Sequence, residues 1–433
     1  MFLALAYAAL LTVYRRAWLA LAEWQLPAGF EPKTLITVLV PARNEAGSIE
    51  ACLQSILDGS YPPNLLEIIV LDDFSEDSTD RIASDKFKVE SGKLKVEGGK
   101  FLVARVIRLA DQLPATARSY SNKKKAIELG IAQAKGEIIV TTDADCVAPK
   151  DWLMLIAHAF ENAKIKMICA PVAFHREKNL LQRFQSLDFL GLMGITGAGA
   201  QLGWHHMANG ANLAYRKEVF EEIGGYAGNE HLASGDDMFL VQKVAARWPE
   251  SVAFLKSQEA TVFTEAAPNF PSFWNQRLRW GTKNAAIANW PMRLSLLLVF
   301  IFCWSIWVNL AVAIMYAAAV VGVPANSISA VGGVPATNVF QVSAVVGVPA
   351  NSFFQVAVVG VPANNFFQVF LFQIAIKAIF DYLFLYEMCS FFKRKELLRW
   401  FWPSFLLHTA YIPLLGTASL FFKKYNWKGR RSS

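Results

Sequence analysis

The stretch Glu137-Ile138-Ile139-Val140-Thr141-Thr142-Asp143-Ala144-Asp145 reads as an apolar strand that ends in two carboxylates. In extended chain, side chains at i and i+2 leave the same face, so Asp143 and Asp145 point at one place. Two hard oxygen ligands so placed suit a divalent cation. Aspartate also favours turns and caps, so the pair alone fits a polar strand-to-helix turn as well. Four further runs, Leu35 to Val40, Glu67 to Leu71, Val103 to Leu109 and Lys166 to Val172, have the same strand character. Helical stretches such as Ser48 to Leu57, Lys123 to Ala134 and Trp152 to Asn162 separate them. Strands alternating with helices at this spacing predict a doubly wound, mostly parallel sheet over residues 34 to about 285. Ligands of such sheets bind at the carboxyl ends of the strands. Arg43-Asn44-Glu45, Asp72-Asp73 and Asp143 to Asp145 each follow a strand directly.

The chain has 433 residues, 54% apolar and 18% charged, with a mean hydropathy of +0.30; general disorder is excluded. Between Arg293 and Lys377, 83 consecutive residues carry no Lys, Arg, Asp, Glu or His. So long an uncharged stretch belongs in a bilayer. The net charge is +7, but basic residues cluster beside the apolar blocks, at Arg15-Arg16, Arg277 to Arg293, Lys393 to Lys395 and Lys423 to Arg431. This placement fits anionic headgroups and the positive-inside rule, and argues against a nucleic-acid partner. The five cysteines are scattered and form no zinc or disulfide pattern.

Residues 1–24 read as a retained membrane anchor, interrupted by Arg15-Arg16. Residues 294–422 read as transmembrane helices, with Leu294 to Val320, Phe366 to Phe392 and Phe401 to Phe422 as the apolar blocks, and 423–433 as a basic tail. The basic groups on both sides of Phe401 to Phe422 each favour the cytoplasm, which predicts a re-entrant or interfacial hairpin bent at Pro413. The unit Val-Gly-Val-Pro-Ala-Asn recurs at 321–326, 346–351 and 359–364, within an insert at about 320–365. Its prolines forbid one continuous helix, and we read it as a duplicated loop.

Other carboxylates and cations fall in suggestive places. Ser234-Gly235-Asp236-Asp237 precedes the apolar helix Met238 to Ala246; Asp236 is expected as a helix cap and Asp237 as a general base. Gln276, Arg279 and Trp280 fall at i, i+3 and i+4 and share one helical face; an interfacial anchor helix would look the same. No Gly-x-Gly-x-x-Gly follows the first strand and no P-loop occurs, which disfavours dinucleotide and ATPase readings. His205-His206 lacks a third ligand at metal spacing and reads as a loop pair.

Together, Pro41-Ala-Arg-Asn-Glu45, Asp72-Asp73, Asp143-Ala-Asp145, Gly235-Asp-Asp237 and Gln276-Arg-Leu-Arg-Trp280 resemble, in order and rough spacing, the membrane-bound family 2 glycosyltransferases. These include cellulose, chitin, hyaluronan and poly-N-acetylglucosamine synthases and ceramide glucosyltransferases. The resemblance covers about Thr34 to Trp280 and implies a GT-A fold. It also implies roles: Glu45, Asp72 and Asp73 hold the nucleotide, with Lys123 close by; Asp143 and Asp145 bind Mg²⁺ or Mn²⁺ and the diphosphate. Asp237, beside Asp236, is the base. Gln276, Arg279 and Trp280 line the acceptor and diphosphate site, and Gly210 and Asn212 lie near the acceptor. Asp236 replaces the family's usual Glu, and Asn122 and Glu128 depart from its lysine segment.

The resemblance thus implies an inverting transferase that takes sugar from a nucleotide-diphosphate donor, a UDP-sugar, to a lipid or polysaccharide acceptor. It would be integral to the membrane (the inner membrane in a bacterium), with its catalytic domain facing the cytoplasm. A membrane glycoside hydrolase would also pair carboxylates, but needs neither the strand-end Asp-x-Asp nor the Gln-x-x-Arg-Trp segment. A catalytically silent scaffold or export subunit would keep the fold without the activity.

Overall fold

The computed structural model describes residues 1–87, 93–95, 101–112, 122–228, 235–283, 289–321, 363–421, 425–427 and 430–432. The Val-Gly-Val-Pro-Ala-Asn repeats lie almost entirely outside the described residues.

A 19-residue helix, α1 (Phe2–Ala20), opens the chain, followed by β1 (Ile36–Ala42), α2 (Ile49–Leu57), β2 (Leu66–Asp72) and α3 (Thr79–Lys86). Next come β3 (Lys93–Lys95), β4 (Phe101–Arg108), the single turn α4 (Leu109–Gln112), α5 (Asn122–Gln133) and β5 (Ile138–Thr141). They are followed by α6 (Trp152–Phe160), β6 (Met167–Cys169), β7 (Val172–His175), α7 (Leu180–Gln201), β8 (Leu213–Arg216) and α8 (Lys217–Glu222). The domain ends with α9 (Asp236–Arg247), β9 (Val252–Phe254), β10 (Val262–Glu265) and α10 (Phe270–Lys283). Three long apolar helices follow, α11 (Trp290–Val321), α12 (Ala363–Phe391) and α13 (Phe401–Phe421), then the small hairpin β11 (Tyr425–Trp427) and β12 (Arg430–Ser432).

Eight strands form the main sheet in the order β3-β4-β2-β1-β5-β8-β6-β9. The neighbours β4-β2, β2-β1, β1-β5 and β6-β9 are parallel. The sheet is therefore mostly parallel, as the alternating pattern predicts. Strands β1, β2 and β5 are buried almost throughout, which is why they read as continuous apolar runs. The carboxylate near the start of β2, Glu67, is 1% exposed and is met by Arg105 at 3.1 Å and the Thr37 hydroxyl at 2.6 Å.

Two expectations are corrected and one strand is added. The strand expected over Lys166 to Val172 is two strands in different sheets: β6 stays in the main sheet and β7 pairs with β10. Pro171, which has no N–H for a ladder, marks the break; its carbonyl accepts from Val262 N and Asn212 Nδ2. The antiparallel strand β8, inserted between β5 and β6, has only four residues and was not legible. Finally, Phe401 to Phe421 is one helix that continues through Pro413 and does not turn back. Gly416 marks a close helix crossing there: a Cβ would stand 2.5 Å from the Phe300 ring.

Helices Phe2–Ala20, Trp290–Ala317, Asn365–Phe391 and Lys395–Phe421 are each long and apolar enough to cross a membrane. Two ion pairs form within the bundle. Arg15 pairs with Glu387, and Lys377, fully buried, pairs with Asp381. Helix α1 is also tied to the α/β domain. Lys256 Nζ donates to the carbonyls of Trp18 and Leu21 at 3.0 and 2.9 Å, a cation on the helix's free C-terminal carbonyls.

Candidate active site

The parallel register brings the strand ends level. Ala42 pairs with Asp72 across β1 and β2, and Leu39 pairs with Thr141 across β1 and β5. Just past two of these ends, Asn44 (φ 52°) and Phe74 (φ 53°) adopt left-handed backbone. Asparagine tolerates this conformation, but for a bulky residue such as Phe it carries strain, a feature that clusters at functional sites. Arg43, 7% exposed, holds the second turn by donating to the carbonyls of Asp73 and Phe74 at 2.7 and 2.8 Å.

Asp72 and Asp73 are both buried at this rim. Asp72 Oδ2 accepts from Ser75 N at 3.3 Å, while Oδ1 is buried with no hydrogen-bond partner. Burial pushes the Asp72 carboxyl above its ordinary value, against the lowering by Ser75. A buried acceptor atom left open at a strand mouth fits a donor group of a ligand. Glu45 is oriented by Ser48, whose hydroxyl donates to Oε2 at 2.8 Å.

Asp143 and Asp145 follow β5. Lys123, near the start of α5, reaches Asp143 Oδ1 at 2.8 Å and lies 3.9 Å from Asp236 Oδ2. Burial disfavours its charge, but Asp143 and Asp236 outweigh that and hold the ammonium above its ordinary value. Thr141 Oγ1 donates to the Gly210 carbonyl at 2.9 Å, and Gly210 N donates to Asp237 Oδ2 at 3.1 Å. A chain of contacts thus runs from the strand end through the 207–212 loop to the first turn of α9. The N-cap of α9 is Gly235, at φ 91°, and no side chain caps it. Asp236 is therefore not the helix cap expected; it lies in the first turn with its carboxylate toward Lys123.

Asn212 departs from expectation. It is fully buried, and its amide is spent on the carbonyls of Pro171 and Ala260 and the Trp152 indole, all within 2.9 Å. Trp152 and Asn212 brace the loop from behind, so Asn212 does not face an acceptor; Gly210 does line the cavity.

One cavity of about 950 Å³ collects the remaining residues. Glu45, Asp73, Lys123, Asp143, Asp145, Gly210, Asp236, Asp237, Gln276, Arg279 and Trp280 all line it, whereas Asp72, the residue before Asp73, does not. The sequence reading missed Arg277 and Asp188, which line the same cavity. Arg277 is 2% exposed, stacks on Trp280 at 4.4 Å and pairs with Asp188 at 2.8 Å. The available signal was an aspartate inside the otherwise apolar run Leu187-Asp188-Phe189-Leu190.

Among the described residues, no group of three or more His, Cys, Asp or Glu side chains gathers to hold a metal ion. Two carboxylates still fit Mg²⁺ or Mn²⁺ chemistry, because Mg²⁺ sites commonly use one or two protein carboxylates and complete the shell with water and substrate phosphates. All five cysteines are buried and unpaired.

Residues 37–224 match the glycosyl transferase family 2 model, and residues 138–333 match the glycosyl transferase family group 2 model. The chain carries a family 2 glycosyltransferase domain. Its mostly parallel sheet is GT-A-like, and the apolar helices follow it. The chain is 25% identical over 256 residues to the probable glycosyltransferase YdaM of Bacillus subtilis, covering 58% of this chain and 55% of that one. It is 25% identical over 247 residues to a beta-monoglucosyldiacylglycerol synthase of Trichormus variabilis, covering 57% and 48%. A poly-beta-1,6-N-acetyl-D-glucosamine synthase of Staphylococcus epidermidis is 22% identical over 272 residues, covering 62% and 57%. The matched segments thus span about half the length of these relatives.

Proposed function

We propose that the protein is a membrane-embedded inverting glycosyltransferase, of the hexosyltransferase type, that moves a sugar from a UDP-sugar to a lipid or polysaccharide acceptor. The observation that carries this reading is the single cavity in which strand-end carboxylates, Lys123, Asp237 and the Gln276-Arg279-Trp280 face converge. Relatives named as a beta-monoglucosyldiacylglycerol synthase and a poly-beta-1,6-N-acetyl-D-glucosamine synthase support a lipid or polysaccharide acceptor.

In this reading Glu45, Asp72 and Asp73 hold the nucleoside, the open Asp72 Oδ1 taking a hydrogen bond from it. Asp143 and Asp145 would hold Mg²⁺ or Mn²⁺, which when bound neutralises charge on the departing diphosphate. Arg279, facing the same cavity, adds fixed positive charge where the leaving group develops its negative charge. Lys123 holds Asp143 and Asp236 in place by its charge. The acceptor oxygen attacks the anomeric carbon, the bond from that carbon to the diphosphate oxygen breaks with its electron pair, and Asp237 takes the acceptor's proton. One displacement inverts the anomeric centre. Placed next to the basic flanks, the catalytic domain faces the cytoplasm.

The test is label transfer in purified membranes from a panel of radiolabelled UDP-sugars with Mn²⁺, wild type beside Asp237→Asn. We expect incorporation that EDTA abolishes and that the variant lacks, with UDP still binding to the variant. Incorporation that survives both EDTA and Asp237→Asn would end the assignment.

A further inference from the structure

The cavity does not stop at the strand ends. It continues between α1, α7, α11, α12 and α13, where Leu10, Leu187, Val299, Leu385, Phe405 and Leu415 line it. Six polar groups run along this chamber as a chain, all but Lys377 lining it. Arg277 pairs with Asp188 at 2.8 Å, Asp188 Oδ1 stands 3.8 Å from His408 Nε2, and His408 Nδ1 is 3.2 Å from Lys377 Nζ. Lys377 pairs with Asp381, which accepts from the Tyr7 hydroxyl. Within the chain two cations balance two carboxylates, and Arg293 lines the same chamber as a further cation. Beside this chain, Arg277 Nε, Gln276 Oε1 and Ser404 Oγ are buried without hydrogen-bond partners, and all three residues line the chamber. Buried groups with open hydrogen-bonding capacity at the boundary of an apolar space mark where a ligand's polar portion belongs.

We infer that the inner chamber is a binding site for an amphiphilic acceptor: a lipid whose apolar chain lies among the membrane helices and whose oxygen nucleophile reaches past Arg277, Gln276 and Ser404 to Asp237. This rests on the transferase reading above and narrows its acceptor to a lipid. A glycan strand in the same space would surrender its water contacts to leucine and phenylalanine side chains that return no hydrogen bonds. An alkyl or prenyl chain gains by the same transfer. At about 950 Å³ the cavity is near the upper end of small-molecule sites, about 300–1,000 Å³, with room for a sugar nucleotide at one end and part of a lipid at the other. A neutral lipid alcohol and a prenyl phosphate share the needed chemistry, an apolar chain ending in an accepting oxygen. With the alcohol, its proton passes to Asp237; the phosphate brings none.

Gly191 of α7 gives the test a handle. It lines the chamber, and a Cβ there would meet only Leu385 Cδ2, at 3.5 Å, so Gly191→Leu fills the chamber from a helix that accepts leucine. Full-length protein in detergent micelles is offered the labelled UDP-sugar and Mn²⁺ with dioleoylglycerol, undecaprenyl phosphate or a soluble chitotetraose, and UDP binding is measured by calorimetry in parallel. We expect label in the organic extract with one of the two lipids, which identifies the headgroup, and none on the tetrasaccharide. Gly191→Leu should lower lipid labelling about tenfold or more, in line with one ill-fitting methylene in an apolar pocket, and leave UDP affinity unchanged. Where Gly191→Leu does not fold, judged by lost UDP binding, Leu385→Phe makes the same test with a smaller change. Label on the tetrasaccharide or in alcohol-insoluble polymer, or wild-type lipid labelling in a filled variant that binds UDP, would overturn the lipid site while leaving the transferase standing. A wild-type protein that does not bind UDP would overturn both.

Discussion

Asp143 and Asp237 occupy the same cavity but different positions in it, and their loss should read differently. Asp143 contacts Lys123 at 2.8 Å beside Asp145, on the side assigned to the diphosphate. Asp143→Asn is expected to weaken UDP binding itself and to lower transfer about 10²–10³-fold, the usual loss for one charge-stabilising group. Asp237→Asn is expected to keep UDP binding and lose transfer; calorimetry beside a labelling assay separates the two. His205, which also lines the cavity, provides a pH signature. It is 1% exposed, its Nε2 is 2.9 Å from the Tyr14 hydroxyl, and burial, with His206 nearby, pushes its imidazole down to about 4. The sign follows from linkage. Above pH 6.5 the ring is neutral in both states and contributes no pH dependence. Between pH 6.5 and about 4 the unfolded chain binds a proton that the fold refuses, so stability falls as pH falls, by about 3 kcal/mol in all. His205→Gln should flatten the melting temperature across that window relative to wild type. Gly199 is part of this arrangement, since a Cβ there would stand 2.0 Å from the His205 ring.

At the scale of elements, the strands that set the site were legible because each is a buried apolar run ending in charged or turn-forming residues. The short β8 and the bracing role of Asn212 were not. Both depend on partners across the sheet, β5 and β6 for the strand, and Pro171, Ala260 and Trp152 for the side chain. Helix α13 was misread for a related reason: Pro413 and Gly416 look like breakers in isolation, yet the helix runs through both. Gly416 provides the close approach of α11, with Phe300 over it. Gly416→Leu should therefore lower the thermal midpoint, an overpacking cost of about 1–3 kcal/mol. An unchanged midpoint would mean the two helices separate easily. Trp18 ties α1 to the domain, 1% exposed, edge-on to Phe254 and Phe391. Trp18→Ala should cost about 3–5 kcal/mol, measured as the same midpoint.

Over the whole molecule, the ends of α1, α11 and α12 nearest the α/β domain are each fastened to it. Lys256 holds Trp18 and Leu21, Asn289 Nδ2 donates to the Trp204 carbonyl at 2.9 Å, and Arg394 donates to the Phe174 carbonyl and pairs with Glu177 at 2.8 Å. Helix α13 differs, because both its ends approach the domain. Arg183 of α7 stacks on Trp400 just before it, and Ser419 packs 3.2 Å from a Cβ built on Gly281 of α10. We propose that α1, α11 and α12 cross the bilayer while α13 lies along its surface, its outer face exposing Trp402, Leu406 and Leu414. Both ends of α13 then lie on one side of the bilayer, where the positive-inside rule places basic flanks. Reporter fusions after Phe392 and after Ser433 should report the same side; opposite sides would mean that α13 spans. By itself the sequence determined the strand-end carboxylates, the helical face of Gln276, Arg279 and Trp280, and the apolar blocks, because each follows from periodicity among near neighbours in the chain. Only the tertiary structure decided that Arg277 meets Asp188, that His408 and Lys377 join them, and that one cavity runs from the carboxylates into the helix bundle. Those contacts join residues far apart in the chain, and no local pattern records which buried charge will find which partner.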